Sequence, residues 1–150
     1  MTAEQAAALV AERFAGAQVT AGTPLVVTVP PDQWGAFAQF AKDALGCRFF
    51  SFSTAVDWKA DGLEMVARVE NLDARFAVMM KTRLGPGVST LASMTPVYRG
   101  ANWMERECWD MFGIRFEGHP DLRRILLDDS WVGHPLLKSY AVDTPHPPYR

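Results

Sequence analysis

The sequence is poor in cysteine, with only Cys47 and Cys108 among 150 residues. Two distant thiols are too few for a disulfide framework, and they cannot supply the four thiolates that an Fe–S cluster usually needs. We therefore expect both cysteines to stay reduced and to be buried as small apolar groups.

The chain also lacks long apolar runs and a large charge excess. No apolar stretch reaches the roughly 18 to 20 residues of a membrane-spanning helix, and Met1–Arg13 has no basic region before an apolar one. We therefore expect neither a membrane span nor a secretory signal. The formal net charge of -2 argues against nucleic acid as a partner. The remaining composition, 49% hydrophobic and 21% charged, is typical of one globular domain.

Sequence signatures of known cofactor and catalytic sites are absent as well. No Gly-rich fingerprint follows a strand pattern, and there is no nucleophile elbow. No spacing identifies a catalytic pair of carboxylates. Possible metal ligands are present, but no Cys-x2-Cys or His-x3-His pair anchors them, so structural histidines in His-Pro turns are preferred over a metal site. The possible ligands are Cys108, His119, His134 and His146.

The sequence does contain a clear order of helix and strand patterns. Thr2 and Gln5 form a predicted capping box for a helix that runs to about Phe14. A second helix follows Pro30 and Pro31, with Gly46 at its C-cap position. Strand patterns with tight turns between them favour an antiparallel meander. These patterns are Phe50 to Asp57, Leu63 to Glu70, Phe76 to Met80 and Val88 to Leu91, and a separate strand pattern, Leu25 to Val29, lies between the two helices.

The predicted fold class is therefore α+β. We expect a two-layer domain with a mostly antiparallel sheet covered by two N-terminal helices, followed by a helix and a long irregular charged C-terminal segment. Residues 1–143 are predicted to form this single domain, and residues 144–150 a Pro-rich tail.

Charge is concentrated in Arg99–Lys138, which contains seven acidic and six basic residues in forty. Near-balanced charge at this density suits specific ion pairs. Within it, Ala101 to Phe112 is predicted to be a helix that stops at Gly113. We expect one apolar stripe on this helix and a solvated polar face, on which Arg106 and Asp110 pair at i,i+4. Glu107 is expected at the edge of the stripe.

The chain after this helix repeats a small unit, Gly118-His119-Pro120 and then Gly133-His134-Pro135. Each proline keeps its histidine extended and prevents helix formation. Arg123 and Arg124 lie between the units, and we expect guanidinium groups there, Arg123 in particular, to brace an irregular loop. This much irregular backbone in a small domain normally needs support from outside, so the segment is predicted to meet a partner.

The residues themselves add a resemblance. The run from Glu105 to Ile114, ERECWDMFGI, resembles the hallmark of the C subunit of NADH-quinone oxidoreductase, the 30 kDa subunit family of respiratory complex I. The resemblance continues through Gly118 to Leu126 and returns at Trp131, at residues 133–136, at Lys138 and at Tyr140.

The resemblance implies a non-catalytic peripheral-arm subunit, enzymatic only as part of the NADH:quinone oxidoreductase. Such a subunit docks onto the large quinone-site subunit and the small Fe–S subunit. It binds no cofactor itself, because FMN, Fe–S clusters and quinone belong to partner subunits. It is peripheral on the cytoplasmic side of the bacterial cell membrane, and it reaches the membrane only through the assembled complex.

Two alternatives stay open. One is the equivalent subunit of a membrane-bound hydrogenase, formate hydrogenlyase or reduced-deazaflavin dehydrogenase complex, and the other is a stand-alone metal-binding protein. The residues expected at the interface or in the motif are Glu105, Arg106, Glu107, Asp110, Arg115, His119, Asp121, Arg123, Arg124, His134 and Lys138.

Overall fold

The computed structural model describes residues 1–143 and divides them into three α-helices, seven β-strands and two short 3-10 turns. The predicted Pro-rich tail, 144–150, lies outside the described residues. The helices are α1 (Ala3–Arg13), α2 (Trp34–Asp43) and α3 (Ala101–Phe112). The strands are β1 (Gln18–Thr20), β2 (Leu25–Thr28), β3 (Phe49–Asp57), β4 (Leu63–Asn71), β5 (Phe76–Gly85), β6 (Thr90–Ala92) and β7 (Arg115–Glu117).

Five strands form the main sheet in the order β1-β2-β5-β4-β3. The meander β3-β4-β5 is antiparallel, as predicted, with Ala55 opposite Met65 and Ala67 opposite Met80. β2 instead pairs with β5 in parallel, with Leu25 opposite Val78, and β1 pairs antiparallel with β2. The sheet is therefore mixed, and the predicted α+β class with a mostly antiparallel sheet is confirmed.

The predicted strand Val88 to Leu91 lies outside the main sheet. It corresponds to β6, which pairs in parallel with β7 in a separate two-stranded sheet. β1 and β7 have three residues each and were not predicted, because so short a strand has too few residues to show a period of two.

One face of the main sheet carries the core. Alternate residues of β4 and β5, such as Met65, Ala67 and Met80, are completely buried, because side chains alternate between the two faces of a strand. Their neighbours on the other face, such as Val66 and Met79, are only half-buried. α1 and α2 supply the second layer, whose buried residues are Ala6, Val10, Trp34, Phe37, Ala38 and Ala41.

Short sequence motifs mark the start of α1 and the end of α3. The capping box of α1 is present, since Gln5 N–H donates to Thr2 Oγ1 at 3.2 Å and Thr2 N–H donates to Gln5 Oε1 at 2.9 Å. α3 begins and ends where predicted, and Gly113 follows it with φ +76°. Gly46 has a positive φ of +67° but lies beyond the C-cap residue of α2, which is Ala44.

The third helix covers the outer edge of the sheet. β3 is an edge strand, and α3 packs beside it. The outward N–H of Ser53 donates to Met104 Sδ of α3 at 3.1 Å. A covered edge cannot pair with another chain, so α3 protects β3 and is itself fixed in place.

Both cysteines are buried and free, as predicted. Burial raises the pKa of each thiol to about 12, so neither is a thiolate near neutral pH. No helix within residues 1–143 has the length and apolar character to span a bilayer.

Candidate functional site

Two acidic residues on the polar side of α3 are buried, which corrects the expectation of a solvated face. Glu105 and Asp110 each have no exposed surface. A wheel drawn for an isolated helix placed both away from the apolar stripe, but the segment that follows α3 folds back over Asp110, and the residues after β6 cover Glu105. Buried carboxylates need partners, and both have a full set.

Asp110 is the centre of the first network. Its Oδ1 lies 2.6 Å from Nη1 of Arg124, and its Oδ2 accepts the N–H groups of Ile125, Leu126 and Leu127 at 3.2, 2.9 and 3.0 Å. Burial alone would raise the pKa of this carboxyl, but the Arg124 bond and the three amide bonds outweigh burial and hold the pKa below its usual value.

Arg124 extends this hydrogen-bond network to residues 131–133 of the chain after α3. Its Nη2 donates to the carbonyls of Trp131 and Gly133 at 2.7 and 3.1 Å. The Asp110–Arg124 pair thus joins three stretches of backbone: the carboxylate of α3 binds the turn at 125–127, and the guanidinium binds the turn at 131–133.

The predicted pair Arg106–Asp110 is wrong. Arg106 instead donates from Nε to the Arg123 carbonyl at 3.1 Å and from Nη2 to the Arg124 carbonyl at 2.8 Å. Asp110 pairs with Arg124, which lies beside it in the buried layer. Arg106 therefore joins the helix to the loop.

The two histidines of the repeated units tie the segment to the two ends of α3. His119 Nε2 lies 3.0 Å from the Asn102 carbonyl, and Nδ1 accepts the Asp121 N–H at 3.0 Å, so the proton of the neutral ring is on Nε2. His134 Nδ1 lies 2.9 Å from the Asp110 carbonyl and donates to it. Among the residues that the structure describes, no three side chains of the metal-ligating types come together.

Glu105 forms a second network, toward β6. Met94 N–H donates to Oε1 at 2.6 Å, while the hydroxyls of Ser93 and Thr95 donate to Oε2. Burial raises the pKa of Glu105 above its ordinary value despite these hydrogen bonds. Sequence reasoning gave no signal for this cluster, because Ser93 and Thr95 belong to no recognisable motif.

Asp57 holds the end of the C-terminal segment and was also missed as a site residue. Its Oδ2 accepts the Lys138 N–H at 2.8 Å and its Oδ1 accepts the Lys59 N–H at 2.7 Å. These amide bonds lower the pKa of Asp57. An aspartate at the end of a strand often bonds the backbone two residues on, which is a signal for the Lys59 bond but not for the Lys138 bond.

The remaining predicted residues are exposed. Arg123 pairs with Asp121 at 2.8 Å, but the two side chains are 68% and 57% exposed, so Arg123 is not the brace of the loop, and Arg124 has that position. The structure therefore divides the eleven predicted residues into two groups. The internal group is Glu105, Arg106, Asp110, His119, Arg124 and His134, and the exposed group is Glu107, Arg115, Asp121, Arg123 and Lys138.

Apolar side chains are exposed beside the second group. Trp103, on the outer side of α3, is 72% exposed, and four residues of the segment are more than half exposed. These four are Leu126, Val132, Leu136 and Val142. We name residues 118–143 together with Trp103 and Glu107 the docking segment. It combines an internally satisfied polar frame with apolar and charged groups that face outward.

A cleft of about 800 Å³ lies between the docking segment and the strand ends. It is lined by Asp57, Phe112, His134, Leu137 and Lys138, among others. His134 also lies against Gly113, since a Cβ built at Gly113 would be 2.9 Å from the imidazole Cδ2. The cleft is thus bounded by the same residues that fasten the segment.

Comparison with known proteins identifies relatives of this chain. The family described as respiratory-chain NADH dehydrogenase, 30 kDa subunit, matches residues 27–146. The C subunit of NADH-quinone oxidoreductase from Rhodobacter capsulatus is 42% identical over 120 residues, which cover 77% of this chain and 60% of that protein. Its counterpart from Trichlorobacter lovleyi is 38% identical over 129 residues, covering 83% of this chain and 80% of that protein. The chain thus spans between about three fifths and four fifths of these relatives' lengths.

Two solved structures share the fold. A trypsin-resistant fragment of Nqo5 superposes with a TM-score of 0.70 at 23% identity and covers 81% of this chain and all of the fragment. A chain of the membrane-bound sulfane sulfur reductase, an archaeal respiratory membrane complex, has a TM-score of 0.66 at 25% identity. It covers 86% of this chain and 75% of that one.

Proposed function

Because this chain belongs to the family of the 30 kDa subunit of respiratory-chain NADH dehydrogenases, we propose that it is a structural subunit of an NADH-quinone oxidoreductase. The proposal is supported by the arrangement of side chains in the docking segment. Its buried ion pair and buried hydrogen bonds hold it on α3, while several of its apolar side chains, such as Leu126 and Val132, are exposed.

The internal frame gives the segment a fixed shape without regular secondary structure. Arg124 and Asp110 fix its first half, and Asp57 fixes Lys138 near its end. A preformed surface loses little conformational freedom when it binds, so more of the contact free energy appears as affinity. Exposed groups such as Trp103 and Leu126 then provide the area that a partner buries.

We propose that the partners are the large quinone-site subunit and the small Fe–S subunit of the same complex. The exposed charges of Glu107, Asp121 and Arg123 then set the register of the contact more than its strength, because rim charges mainly affect association rate and specificity. The chain itself holds no flavin, Fe–S cluster or quinone in this proposal, and it has no turnover of its own. It reaches the cytoplasmic face of the membrane only through the assembled complex.

Copurification tests the proposal. A tagged copy of the full chain, expressed in the native host, is expected to bring down the subunits that carry flavin and Fe–S clusters, and the eluate is expected to oxidise NADH with quinone. The pure chain alone is expected to show no such activity and no stoichiometric zinc or iron by elemental analysis. Turnover by the isolated chain, or a tagged chain that elutes by itself, would contradict the proposal.

A second candidate is the equivalent subunit of a related respiratory complex with another electron donor. The match to a chain of the sulfane sulfur reductase complex at 25% identity supports this candidate. Mass spectrometry of the copurified subunits separates the two. An NADH-binding flavoprotein among them supports the NADH enzyme, and its absence beside a cluster-bearing large subunit supports the relative.

A further inference from the structure

A second cavity, of about 530 Å³, is lined by no residue of the docking segment. It lies between the end of α2, the start of β3 and the turn before α3. Its lining contains three cations, Lys42, Arg48 and Arg99, and no acidic residue among the described part of the chain. We name this cavity the basic pocket. In a chain of net charge -2, this local excess of positive charge belongs to the site and not to the molecule as a whole.

The floor of the basic pocket is held by hydrogen bonds and ring packing. Tyr98 O–H donates to the Cys47 carbonyl at 2.8 Å, and the Tyr98 ring packs on Phe50 with 5.6 Å between centroids. Lys42 Nζ donates to the Val97 carbonyl at 2.6 Å and lies 5.6 Å from the centre of the Tyr98 ring. No carboxylate neutralises Lys42 in these contacts, so its charge acts on the pocket.

The guanidinium groups of the two arginines at the rim have no partner in the part of the chain that the structure describes. Within residues 1–143, the side chains of Arg48 and Arg99 form no hydrogen bond or ion pair, and both residues are exposed. Two acidic residues lie near the pocket but outside its lining: Asp43 accepts from Gln39 Nε2 at 2.6 Å, and Glu70 pairs with Arg68 Nε at 3.0 Å. These two guanidinium groups lie beside the Lys42 ammonium group, and such a cluster of positive charge favours carboxylate ligands.

The start of α3 adds to the positive potential. The helix begins at Ala101, next to Arg99, with no side-chain cap and no acidic residue in its first turn. The N-terminus of a helix carries a partial positive charge that native sequences often offset with an acid. Here that offset is missing at the place where the three cations converge.

We propose that the basic pocket is a second docking site, which binds the carboxylates of an acidic peptide segment from another subunit. This inference rests on the proposed function, because it requires an assembly. A peptide is favoured over a free anion, since the rim is apolar as well as cationic. Phe49 is 48% exposed at the rim, and Pro96 and Val97 continue the lining. A segment that alternates acidic and apolar side chains matches such a surface.

Zero-length cross-linking of the intact complex tests the proposal. In Arg48→Lys and Arg99→Lys variants the positive charge stays and a reactive amine is introduced, so a carbodiimide joins that amine to any carboxylate in contact with it. We expect mass spectrometry to find each variant position linked to an Asp or Glu of one segment in another subunit. Arg13→Lys, an exposed position on α1, is the matched control and is expected to give no such link.

A neutral double variant gives an independent readout. Arg48→Gln together with Arg99→Gln is expected to lower retention of the partner about tenfold at moderate salt, because interfacial charge pairs control association and register. The control, Arg13→Gln with Arg75→Gln, removes the same charge from exposed positions outside the pocket and is expected to behave as the parent chain.

The outcomes separate this proposal from the one above. An assembled complex with no cross-link at either position, and with normal retention in the Gln double variant, would overturn the second site and leave the proposed function standing. Arginine-dependent binding of inorganic phosphate, or of vesicles with anionic lipid, in the absence of a cross-link would overturn the peptide in favour of a phosphate ligand. A chain that enters no complex would overturn both proposals.

Discussion

At the scale of single residues, the pair Asp110–Arg124 determines the shape of the docking segment. Its atoms are 2.6 Å apart, and its side chains are 0% and 10% exposed. The charged pair Asp121–Arg123 lies in the same segment with a similar distance of 2.8 Å, but solvent reaches both partners. The two pairs have equal chemistry and different burial, so they form a matched comparison.

The substitution Arg124→Ala is expected to lower the free energy of unfolding by about 3 to 5 kcal/mol, because it leaves a buried carboxylate without its cation. Arg123→Ala is expected to cost at most about 1 kcal/mol, since an exposed pair is screened by water. Urea denaturation of the purified variants measures both. Equal losses in the two variants would show that burial does not control the strength of these pairs.

The buried carboxylates also differ from each other. The pKa of Asp110 is lowered, because four N–H donors outweigh its burial, and the pKa of Glu105 is raised, because its three donors do not. Two causes differ: Asp110 has a guanidinium among its donors whereas Glu105 has only neutral donors, and Glu105 lies deeper below the surface, so its desolvation raises the pKa more. Burial alone does not decide the charge state of a carboxyl group.

At the scale of elements, the junction between α3 and the docking segment depends on one glycine. Gly113 ends the helix in the left-handed region, and a Cβ there would be 2.9 Å from the His134 ring. Gly118 has a similar φ of +82°, but a Cβ there would meet nothing within 4 Å. The two glycines share the backbone requirement and differ in the space beside them.

Gly118→Ala is expected to destabilise the chain by about 1 kcal/mol through the positive φ alone. Gly113→Ala is expected to cost about 2 kcal/mol or more, because the imidazole must also move and its bond to the Asp110 carbonyl weakens. Thermal unfolding of both variants checks the order. A Gly118 variant less stable than the Gly113 variant would contradict the contact with His134.

The interactions of Asp110 and Asp57 that hold the docking segment in place are expected to weaken at low pH. Because the pKa of Asp110 is lower in the folded chain than its ordinary value of about 3.9, ionised Asp110 stabilises the fold fully above that value. This stabilisation is lost as the pH falls through the lower folded pKa. The same sign holds for Asp57, whose pKa is also lowered. Glu105 acts oppositely, since its raised pKa means that protonation in acid favours the folded form.

Hydrogen exchange measures whether the docking segment is released from α3 at low pH. The amides of Ile125, Leu126 and Leu127 bond only to Asp110 among the described contacts, so their protection relative to intrinsic exchange is expected to fall as the pH drops below about 4. Amides of β4, which bond to neighbouring strands, are expected to keep their protection over the same range. Simultaneous loss in both groups would indicate global unfolding instead of release of the segment.

At the scale of the whole molecule, folding and assembly are expected to depend on different residues. The core and the buried ion pair stabilise the isolated chain, whereas Trp103 contributes an aromatic side chain that is 72% exposed. Exposed aromatic residues with rigid surroundings are frequent centres of binding energy.

Trp103→Ala is therefore expected to change the unfolding free energy by no more than about 0.5 kcal/mol, and to weaken association with the partner by about 30-fold. Leu9→Ala, at an exposed apolar position on α1, is the control and is expected to leave association unchanged. Thermal unfolding and copurification yields measure the two effects. Normal assembly of the Trp103 variant would place the docking surface elsewhere.

Local chemistry in the sequence by itself determined several features of this protein. The capping box of Thr2 and Gln5, the limits of α3 with Gly113, and the antiparallel meander all depend on residues close together in the chain. The family motif likewise lies in one continuous run from Glu105 to Ile114. Such features are readable because their hydrogen bonds close over a few residues.

The tertiary structure alone decided which charges are internal. Asp110 and Arg124 meet only when the segment folds back on α3, Asp57 meets Lys138 across 81 positions, and β2 aligns in parallel with β5 across two intervening strands. The free energy of a charge depends on its distance from solvent and from a partner. Local spacing gives neither distance. The burial of Glu105 and Asp110, and the lack of partners for Arg48 and Arg99 among the described residues, could therefore be seen only in the complete fold.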